Sequence, residues 1–139
     1  MLRDVCRTVE HVDTDASGVV HFTRYASLLE SAVLENLESL GVGVTRLAEQ
    51  GKDLAVTELR MKYLAPARFA DQVRVSTRVE RVGGASCQIA GDVHRVASEQ
   101  TLLASGTLVL CVVDATAGTA SPLPAELRRA LRERSATDD

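Results

Sequence analysis

Residues 11–25, with the sequence HVDTDASGVVHFTRY, decide how the rest of this 139-residue chain is arranged. Two carboxylates, Asp13 and Asp15, precede a Ser-Gly turn and a short apolar run, and a long amphipathic segment follows. The first turn of a helix leaves backbone N–H groups without partners, so a helix that starts here brings free donors close to an acid. This combination predicts a reactive site in which a carboxylate and an oxyanion-binding helix end act together.

Residues 24–40 have the periodicity of an amphipathic helix, with apolar residues at spacings of three and four. Asn36 lies on the same face, which is unusual in an apolar stripe. We predict that Thr23 caps the start of this helix and that Gly41 and Gly43 end it. The apolar face consists of Tyr25, Leu28, Leu29, Ala32, Val33, Leu37 and Leu40.

Most of the remaining chain alternates between apolar and polar residues, as strands do. Residues 56–63 alternate cleanly, which predicts a half-buried strand. Its inward face is expected to hold Thr57, Leu59, Met61 and Tyr63. Further strands are predicted over residues 2–12, 72–82, 85–96 and 101–113, with a hairpin turn at Gly83-Gly84.

A long helix with one apolar face and a sheet with one apolar face would pack on each other as a two-layer α+β domain. The chain has no linker, repeat or low-complexity segment, so residues 1–139 are expected to form a single domain. Residues 122–139 are expected to be its helical tail, with a short capping helix at residues 126–134 and fraying at residues 135–139.

Composition and charge exclude several classes of function. Hydrophobic residues make up 45% and charged residues 25% of the chain, and the net charge of −3 argues against a basic nucleic-acid binder. No apolar run is long enough to span a membrane and no signal-peptide core is present, so the cytoplasm is expected. The cysteines and histidines lack the spacing of a metal site, and Cys6, Cys87 and Cys111 are expected to be buried and reduced.

Two stretches resemble the hotdog-fold acyl-CoA thioesterases, in particular the branch of 4-hydroxybenzoyl-CoA thioesterase and the YbgC-like proteins. The first is DTDASGVV at residues 13–20, with Tyr25 and Glu30 on the following helix, and the second is YLAPARFAD at residues 63–71. With the order of elements, the resemblance covers nearly all of residues 3–114. It implies an antiparallel sheet wrapped around the long helix, in a homodimer or homotetramer whose acyl pocket lies between subunits.

The resemblance also implies the chemistry, which is hydrolysis of an acyl-CoA or acyl-carrier-protein thioester to a free acid and a thiol. Asp15 would be the catalytic carboxylate, as general base or as nucleophile, and the backbone N–H of Phe22 would bind the thioester carbonyl. Asp13 is expected to hold the loop through its side chain. No metal or cofactor is implied beyond the coenzyme A or phosphopantetheine that the substrate carries, which would lie in a tunnel at the interface.

His21-Phe22 stands where many members of this branch have Tyr-His, so the imidazole comes one residue earlier here. His21 is therefore a candidate second acid or base, or else a packed or exposed histidine at the helix entry. Five further residues are candidates for substrate binding, namely Tyr25, Glu30, Thr57, Tyr63 and Arg68.

Three of these candidates have a competing structural explanation. Glu30 is an alternative catalytic carboxylate, since other hotdog branches use one on this helix, but a structural or interfacial role fits it as well. Thr57 would line the acyl pocket or simply pack. Arg68, with Lys62 and Arg60, would receive cofactor phosphates at the tunnel mouth or form a solvated edge.

Two other functions are open at this point. A thioesterase of a polyketide or fatty-acid pathway would also add a nucleophile to an enoyl thioester, with the displaced His21 as the base. A hotdog module that binds acyl thioesters without hydrolysing them belongs to a different class, and the intact Asp15 motif argues against it.

Overall fold

The computed structural model describes residues 2–135 and arranges them as an antiparallel sheet with one long helix against it. The strands are β1 (Val5–Thr8), β2 (Lys52–Tyr63), β3 (Gln72–Val82), β4 (Ser86–Arg95), β5 (Thr101–Asp114) and β6 (Ala120–Ser121). The helices are α1 (Phe22–Ser39), α2 (Val44–Glu49) and α3 (Ala125–Glu133), with a 3-10 turn at His11–Asp13. The sheet order is β1-β3-β4-β5-β2, and β6 pairs with β5. The α+β prediction is confirmed, and the sheet curls around α1 as a hotdog fold does.

Helix α1 lies on the apolar face of the sheet, and one glycine sets how closely the helix approaches. Leu29, in the middle of α1, is 1% exposed, and its Cδ1 lies 2.0 Å from the place where a Cβ would stand on Gly91 of β4. Any larger residue at Gly91 would therefore collide with the helix. The core around this crossing is aliphatic and includes Val33, Leu37, Ile89 and Leu108.

Asn36, the polar residue on the apolar face of α1, fastens the N-terminal segment to the helix. Its Oδ1 accepts from the Arg3 N–H at 2.8 Å, and its Nδ2 donates to Arg3 O at 3.0 Å. Nδ2 also donates to Ala32 O at 2.9 Å. The buried amide thus meets its hydrogen-bonding needs with backbone groups, which removes most of the penalty of burying it.

Strand β2 is an edge of the sheet in the described part of the chain, and it carries a bulge. It pairs with β5 alone, and a register shift leaves Thr57 outside the ladder. After the bulge, Leu59 lies opposite the buried Leu108 and so faces α1, as predicted. The prediction that Thr57 shares this inward face is wrong, because a bulge interrupts the alternation of side chains. Thr57 is exposed, and its Oγ1 donates to Val109 O at 3.3 Å.

The cysteines differ in exposure, and only one is buried as predicted. Cys87 lies in the core, where desolvation raises the pKa of its thiol to about 11. Cys6 is exposed because it lies on β1, at the other edge of the sheet, and Cys111 is half-buried. The expectation of three buried cysteines is therefore wrong for Cys6 and Cys111.

The C-terminal tail forms the predicted helix. One residue after this helix, which was expected to fray, pairs with the sheet. Helix α3 buries Leu127 and Leu131 and packs against β3. Ser135 then bridges to Val79 of β3, so the expectation of fraying is wrong for this residue. The rest of that expectation, residues 136–139, lies outside the described residues.

Candidate active site

Asp15 lies in a tight loop between the 3-10 turn and α1, and short-range pairing fixes the shape of this loop. Thr14 bridges to Val20. The N–H of Asp15 donates to Val19 O at 2.9 Å, and Gly18 closes the turn by donating its N–H to Asp15 O at 3.0 Å. Gly18 has a φ of +83°, a left-handed conformation that glycine adopts without strain. The loop therefore holds Asp15 in one place on the surface.

The second stretch of the resemblance, residues 63–71, lies directly against this loop. The Val20 N–H donates to Ala67 O at 2.8 Å, and Val19 forms a bridge with Arg68. These contacts join the two sequence motifs, which are far apart in the chain, into one local structure.

The carboxylate of Asp15 is exposed and is held by hydrogen bonds from its own loop. Oδ1 accepts from the Ser17 hydroxyl at 2.6 Å and from the Ser17 N–H at 2.9 Å. These two hydrogen bonds hold the pKa of Asp15 below its ordinary value, because they favour the charged form. The backbone N–H of Val19 lowers this pKa as well, so an ionised carboxylate that its own loop holds faces solvent.

The start of α1 differs from the prediction, because His21 and not Thr23 occupies the N-cap position. The Nδ1 of His21 accepts from the Thr23 N–H at 3.3 Å and lies 2.8 Å from Thr23 Oγ1, while His21 O accepts from the Arg24 N–H at 2.9 Å. The helix then begins at Phe22. The N–H of Phe22 has no partner among the described residues, as expected for a first-turn donor.

Asp13 ties this helix start to the preceding turn, which is the supporting role predicted for it. Its buried carboxylate accepts from Arg24 Nε at 2.6 Å and from the Glu10 N–H at 2.8 Å. Its backbone carbonyl accepts from the His21 N–H at 2.9 Å. Asp13 therefore fixes the loop that carries Asp15 relative to the first turn of α1.

Tyr25 lies beneath the site. It is buried, and its hydroxyl accepts from the Ala67 N–H at 3.1 Å. Burial raises the pKa of this phenol. Its ring lies 5.8 Å from the ring of Tyr63. Tyr25 therefore supports the surroundings of the site from below, and the predicted contact with substrate stays a prediction.

Glu30 and Thr57 lie farther from Asp15 in the fold. Glu30 is exposed on α1, about 12 Å farther along the helix axis than Phe22. Thr57 lies at the bulge of β2, where its hydroxyl donates a hydrogen bond to the backbone oxygen of Val109. The predicted roles of both residues in substrate binding stay predictions.

Arg68 and Tyr63 do lie at the site. Arg68 is exposed beside the loop through its bridge to Val19, and within the described part of the chain its guanidinium has no partner. Tyr63 is 48% exposed at the end of β2, and its ring meets the ring of Phe22 edge-on at 6.0 Å. A cation thus lies next to the Asp15 loop, and an aromatic ring lies next to Phe22 at the start of the helix.

Sequence reasoning missed Ser17 and Arg24 as parts of the site. An Asp-x-Ser sequence is a known signal for a turn in which the side chain of the first residue accepts from the third, so Ser17 was accessible to prediction. The contact of Arg24 with Asp13 depends on how the loop folds back on α1, and no local sequence pattern predicts it.

The described residues contain no group of three His, Cys, Asp or Glu side chains that would hold a metal ion. No described helix combines the length and the apolar character needed to cross a membrane. The cytoplasmic location therefore stays a prediction.

Known proteins resemble this chain in sequence over most of its length. A family model described as the thioesterase-like superfamily matches residues 9–131. The 1,4-dihydroxy-2-naphthoyl-CoA hydrolase of Thermosynechococcus vestitus is 29% identical, over 99% of this chain and 97% of that protein. The acyl-CoA thioesterase YbgC of Haemophilus influenzae is 33% identical, over 76% of this chain and 76% of that protein.

A solved structure matches as well. The dynemicin thioesterase, whose crystal structures describe polyene binding, aligns with a TM-score of 0.84 at 26% identity. The alignment covers 95% of this chain and 96% of that chain.

Proposed function

Because the chain belongs to the thioesterase-like superfamily and is a thioester hydrolase with the hotdog fold, we propose that it hydrolyses an acyl-CoA or acyl-carrier-protein thioester with Asp15 as the acting carboxylate. One observation carries this proposal. The ionised, exposed Asp15 is joined through Asp13 to a helix start whose Phe22 N–H has no partner among the described residues. A base or nucleophile and an oxyanion donor are the two parts that thioester hydrolysis requires.

In the proposed mechanism, the Phe22 N–H binds the thioester carbonyl oxygen and stabilises the negative charge that develops there. As general base, Asp15 takes a proton from water while the water oxygen bonds to the carbonyl carbon. The tetrahedral intermediate then expels the thiolate, which takes the proton back from Asp15. As nucleophile, Asp15 would instead form a mixed anhydride that water hydrolyses in a second step. Both routes give the same acid and thiol.

We propose that the enzyme acts as a homodimer joined along β2. This strand is an unpaired edge, and the side chains that face α1 from it stay exposed, at 39% for Val56, 46% for Leu59 and 48% for Tyr63. A long edge strand with a row of exposed apolar side chains on one face can pair with another chain. A second copy there would cover these residues and complete a pocket beside the Asp15 loop. A homotetramer stays a prediction.

Arg68 is the proposed contact for the phosphates of the substrate's carrier group. Its guanidinium is exposed beside the Asp15 loop, and no carboxylate neutralises it among the described residues. An arginine in this state binds phosphate through two parallel N–H groups. Coenzyme A and phosphopantetheine both carry such phosphates, so this contact serves either carrier.

A polyketide acyl group is a second candidate, which the likeness to the dynemicin thioesterase favours. The associated idea that His21 adds a nucleophile to an enoyl thioester has less support. The Nδ1 of His21 is engaged by Thr23 at the helix cap, 2.8 Å from Thr23 Oγ1 and 3.3 Å from Thr23 N, so this nitrogen serves the cap and only Nε2 is left to face a substrate. A non-catalytic binding module is not retained, because the family and the relatives above are hydrolases.

The test is release of free thiol from a panel of acyl-CoA and acyl-carrier-protein thioesters. The enzyme is used at catalytic concentration so that the exposed Cys6 adds little background. Asp15→Asn should lower kcat by about 100-fold or more, the usual contribution of a positioned base. Glu30→Gln is the matched control, since it removes the alternative carboxylate on α1. Equal activity of Asp15→Asn and the wild type would refute the role of Asp15, whereas loss of activity only in Glu30→Gln would transfer it to the helix.

A further inference from the structure

The turn at residues 68–71, beside the Asp15 loop, has a backbone conformation that its sequence does not favour. Ala70 has a φ of +72° and is the one residue other than glycine with a positive φ within residues 2–135. A left-handed conformation is unfavourable for a residue with a Cβ, so it persists only where the surrounding structure holds it. Strained residues of this kind cluster at functional sites. The contacts that hold this turn therefore point to its role.

Hydrogen bonds on two sides hold the turn in place. The Asp71 N–H donates to Arg68 O at 3.0 Å, and the Arg68 N–H donates to Asp71 Oδ2 at 2.9 Å. The Ala70 N–H donates to Val9 O at 2.9 Å, and the Val9 N–H donates to Asp71 O at 2.8 Å. Val9 is 3% exposed and belongs to the core. The turn is therefore closed by its own carboxylate and fastened to a buried part of the chain.

Arg95, the last residue of β4, joins the two ends of segment 66–71. Its Nη1 donates to Pro66 O at 3.2 Å and lies 3.8 Å from Asp71 Oδ2. Both charged side chains are largely shielded, with 32% of Arg95 and 27% of Asp71 exposed. Strand β4 has neighbours on both sides, β3 and β5. The guanidinium therefore ties segment 66–71 to the middle of the sheet.

The opposite side of segment 66–71 contacts the Asp15 loop. Arg68 bridges to Val19, and Val19 O accepts from the Asp15 N–H at 2.9 Å. The N–H of Val19 also helps to lower the pKa of Asp15, because it favours the charged carboxylate. A continuous chain of contacts thus runs from Arg95 through segment 66–71 and Val19 to Asp15.

We propose that Arg95 and Asp71 are positioning residues, which hold the Asp15 loop in its reactive place through segment 66–71. This inference rests on the proposed function and deepens it, since the two residues act through the loop and not on the substrate. Displacement of a reacting group by about 1 Å lowers a rate by up to about 100-fold. Loss of either residue should therefore be visible in kcat.

The first experiment compares two arginine variants. Arg95→Met keeps the length of the side chain and removes the guanidinium, and it should lower kcat by about 10- to 100-fold. Arg78→Met is the matched control, because Arg78 lies 3.2 Å from Asp92, whose side chain is 27% exposed, as that of Asp71 is. This second pair lies about 16 Å farther along β3 and β4. Equal kcat values of the two variants, at equal stability in urea, would overturn the inference.

The Asp15→Asn background separates positioning from a merely structural role. If Arg95 acts through Asp15, the addition of Arg95→Met to Asp15→Asn should leave the residual rate unchanged. A structural role would lower the rate by the same factor in both backgrounds, and that result would also overturn the inference.

Asp71→Asn is a milder variant, which keeps the inference testable if Arg95→Met does not fold. Its amide oxygen can still accept from the Arg68 N–H, so it removes only the charge that faces Arg95. Asp71→Asn should lower kcat as well, and its double variant with Arg95→Met should be no slower than Arg95→Met alone, because residues that act as a unit are not additive. Additive losses in the double variant would contradict joint action.

The pKa of Asp15, followed by 13C NMR of its carboxyl carbon, is a readout that does not require turnover. The signal is assigned by its absence in Asp15→Asn. Because Val19 helps to lower this pKa and is bridged to segment 66–71, release of the segment should raise it. The pKa should therefore rise in Arg95→Met and stay at the wild-type value in Arg78→Met.

Failure of this inference and failure of the proposed function give different results. If Asp15→Asn loses activity but Arg95→Met behaves as Arg78→Met does, only the inference is contradicted. If no thioester of the panel is turned over, or if Asp15→Asn is fully active, the proposed function fails and the titration decides whether Arg95 positions the loop. A rise of the Asp15 pKa in Arg95→Met alone supports this positioning, and equal pKa values in the two arginine variants overturn it.

Discussion

Ser17 donates two hydrogen bonds to one oxygen of Asp15, from its hydroxyl at 2.6 Å and from its N–H at 2.9 Å. The Val19 N–H also favours the charged form of this carboxylate. This arrangement fixes the orientation of a carboxylate that remains exposed to solvent. It also keeps the group ionised, since both hydrogen bonds favour the charged form.

Replacement of Ser17 should therefore change the pH dependence of the enzyme. The Ser17 hydroxyl is the largest cause that lowers the pKa of Asp15. In Ser17→Ala this pKa should rise towards the ordinary aspartate value of about 3.9, so the acid limb of kcat/KM should move to higher pH. The profile is measured on the free-enzyme parameter kcat/KM from about pH 3 to about pH 7, so that it includes pH values on both sides of the ordinary aspartate pKa.

Ser17→Thr is the control, because it keeps a hydroxyl at the same position and should keep the acid limb of the wild type. The hydrogen bond from the backbone N–H remains in both variants, so the loop itself is expected to stay formed. A profile of Ser17→Ala that coincides with the wild type would show that the hydroxyl does not tune Asp15.

His21 caps α1, and the two roles considered for it predict different results for two substitutions. Asparagine is a good N-cap and alanine is a poor one, so His21→Ala should lower the free energy of unfolding by about 1 kcal/mol and His21→Asn by much less. If His21 is a cap and not a base, His21→Asn should also keep its thioesterase activity. Urea unfolding and thiol release measure the two quantities on the same preparations.

A different result for His21→Asn would favour a role of His21 as a base. A His21→Asn enzyme of wild-type stability that has lost its activity would assign the imidazole a chemical role. Its stability excludes loss of the cap as the cause.

The close approach of α1 to the sheet gives a prediction about stability. In Gly91→Ala the new methyl group would stand 2.0 Å from Leu29 Cδ1 and 3.2 Å from Ser76 O, so the buried Leu29 side chain, the helix or the strand must shift. Overpacking of this kind costs about 1–3 kcal/mol. Gly84→Ala is the control, since its methyl group would meet nothing within 4 Å, and its effect should stay within about 0.5 kcal/mol. Equal stability of the two variants in urea would contradict the tight crossing.

The sequence predicts what depends on local periodicity, and it misses what depends on distant partners. Helix α1 and the Asp15 loop follow from spacing and turn residues within a few positions. The exposure of Thr57 does not, because the bulge on β2 is defined by the register with β5. His21 is the N-cap of α1 although threonine is a preferred N-cap residue, which is why the sequence favoured Thr23. The meeting of Phe22 with Tyr63 requires the fold, since the rings come from different elements.

Strand β2 provides the last prediction, which concerns assembly. If two chains pair along this edge, Leu59→Arg should break the dimer, because it places a charge among apolar residues that the partner would cover. The variant should sediment as a monomer in analytical ultracentrifugation and lose most of its thioesterase activity, since the pocket is proposed to form between two copies. Leu102→Arg is the matched control, because Leu102 is also partly exposed, at 36%, but lies on β5. A Leu59→Arg variant with the assembly state and activity of Leu102→Arg would place the interface elsewhere.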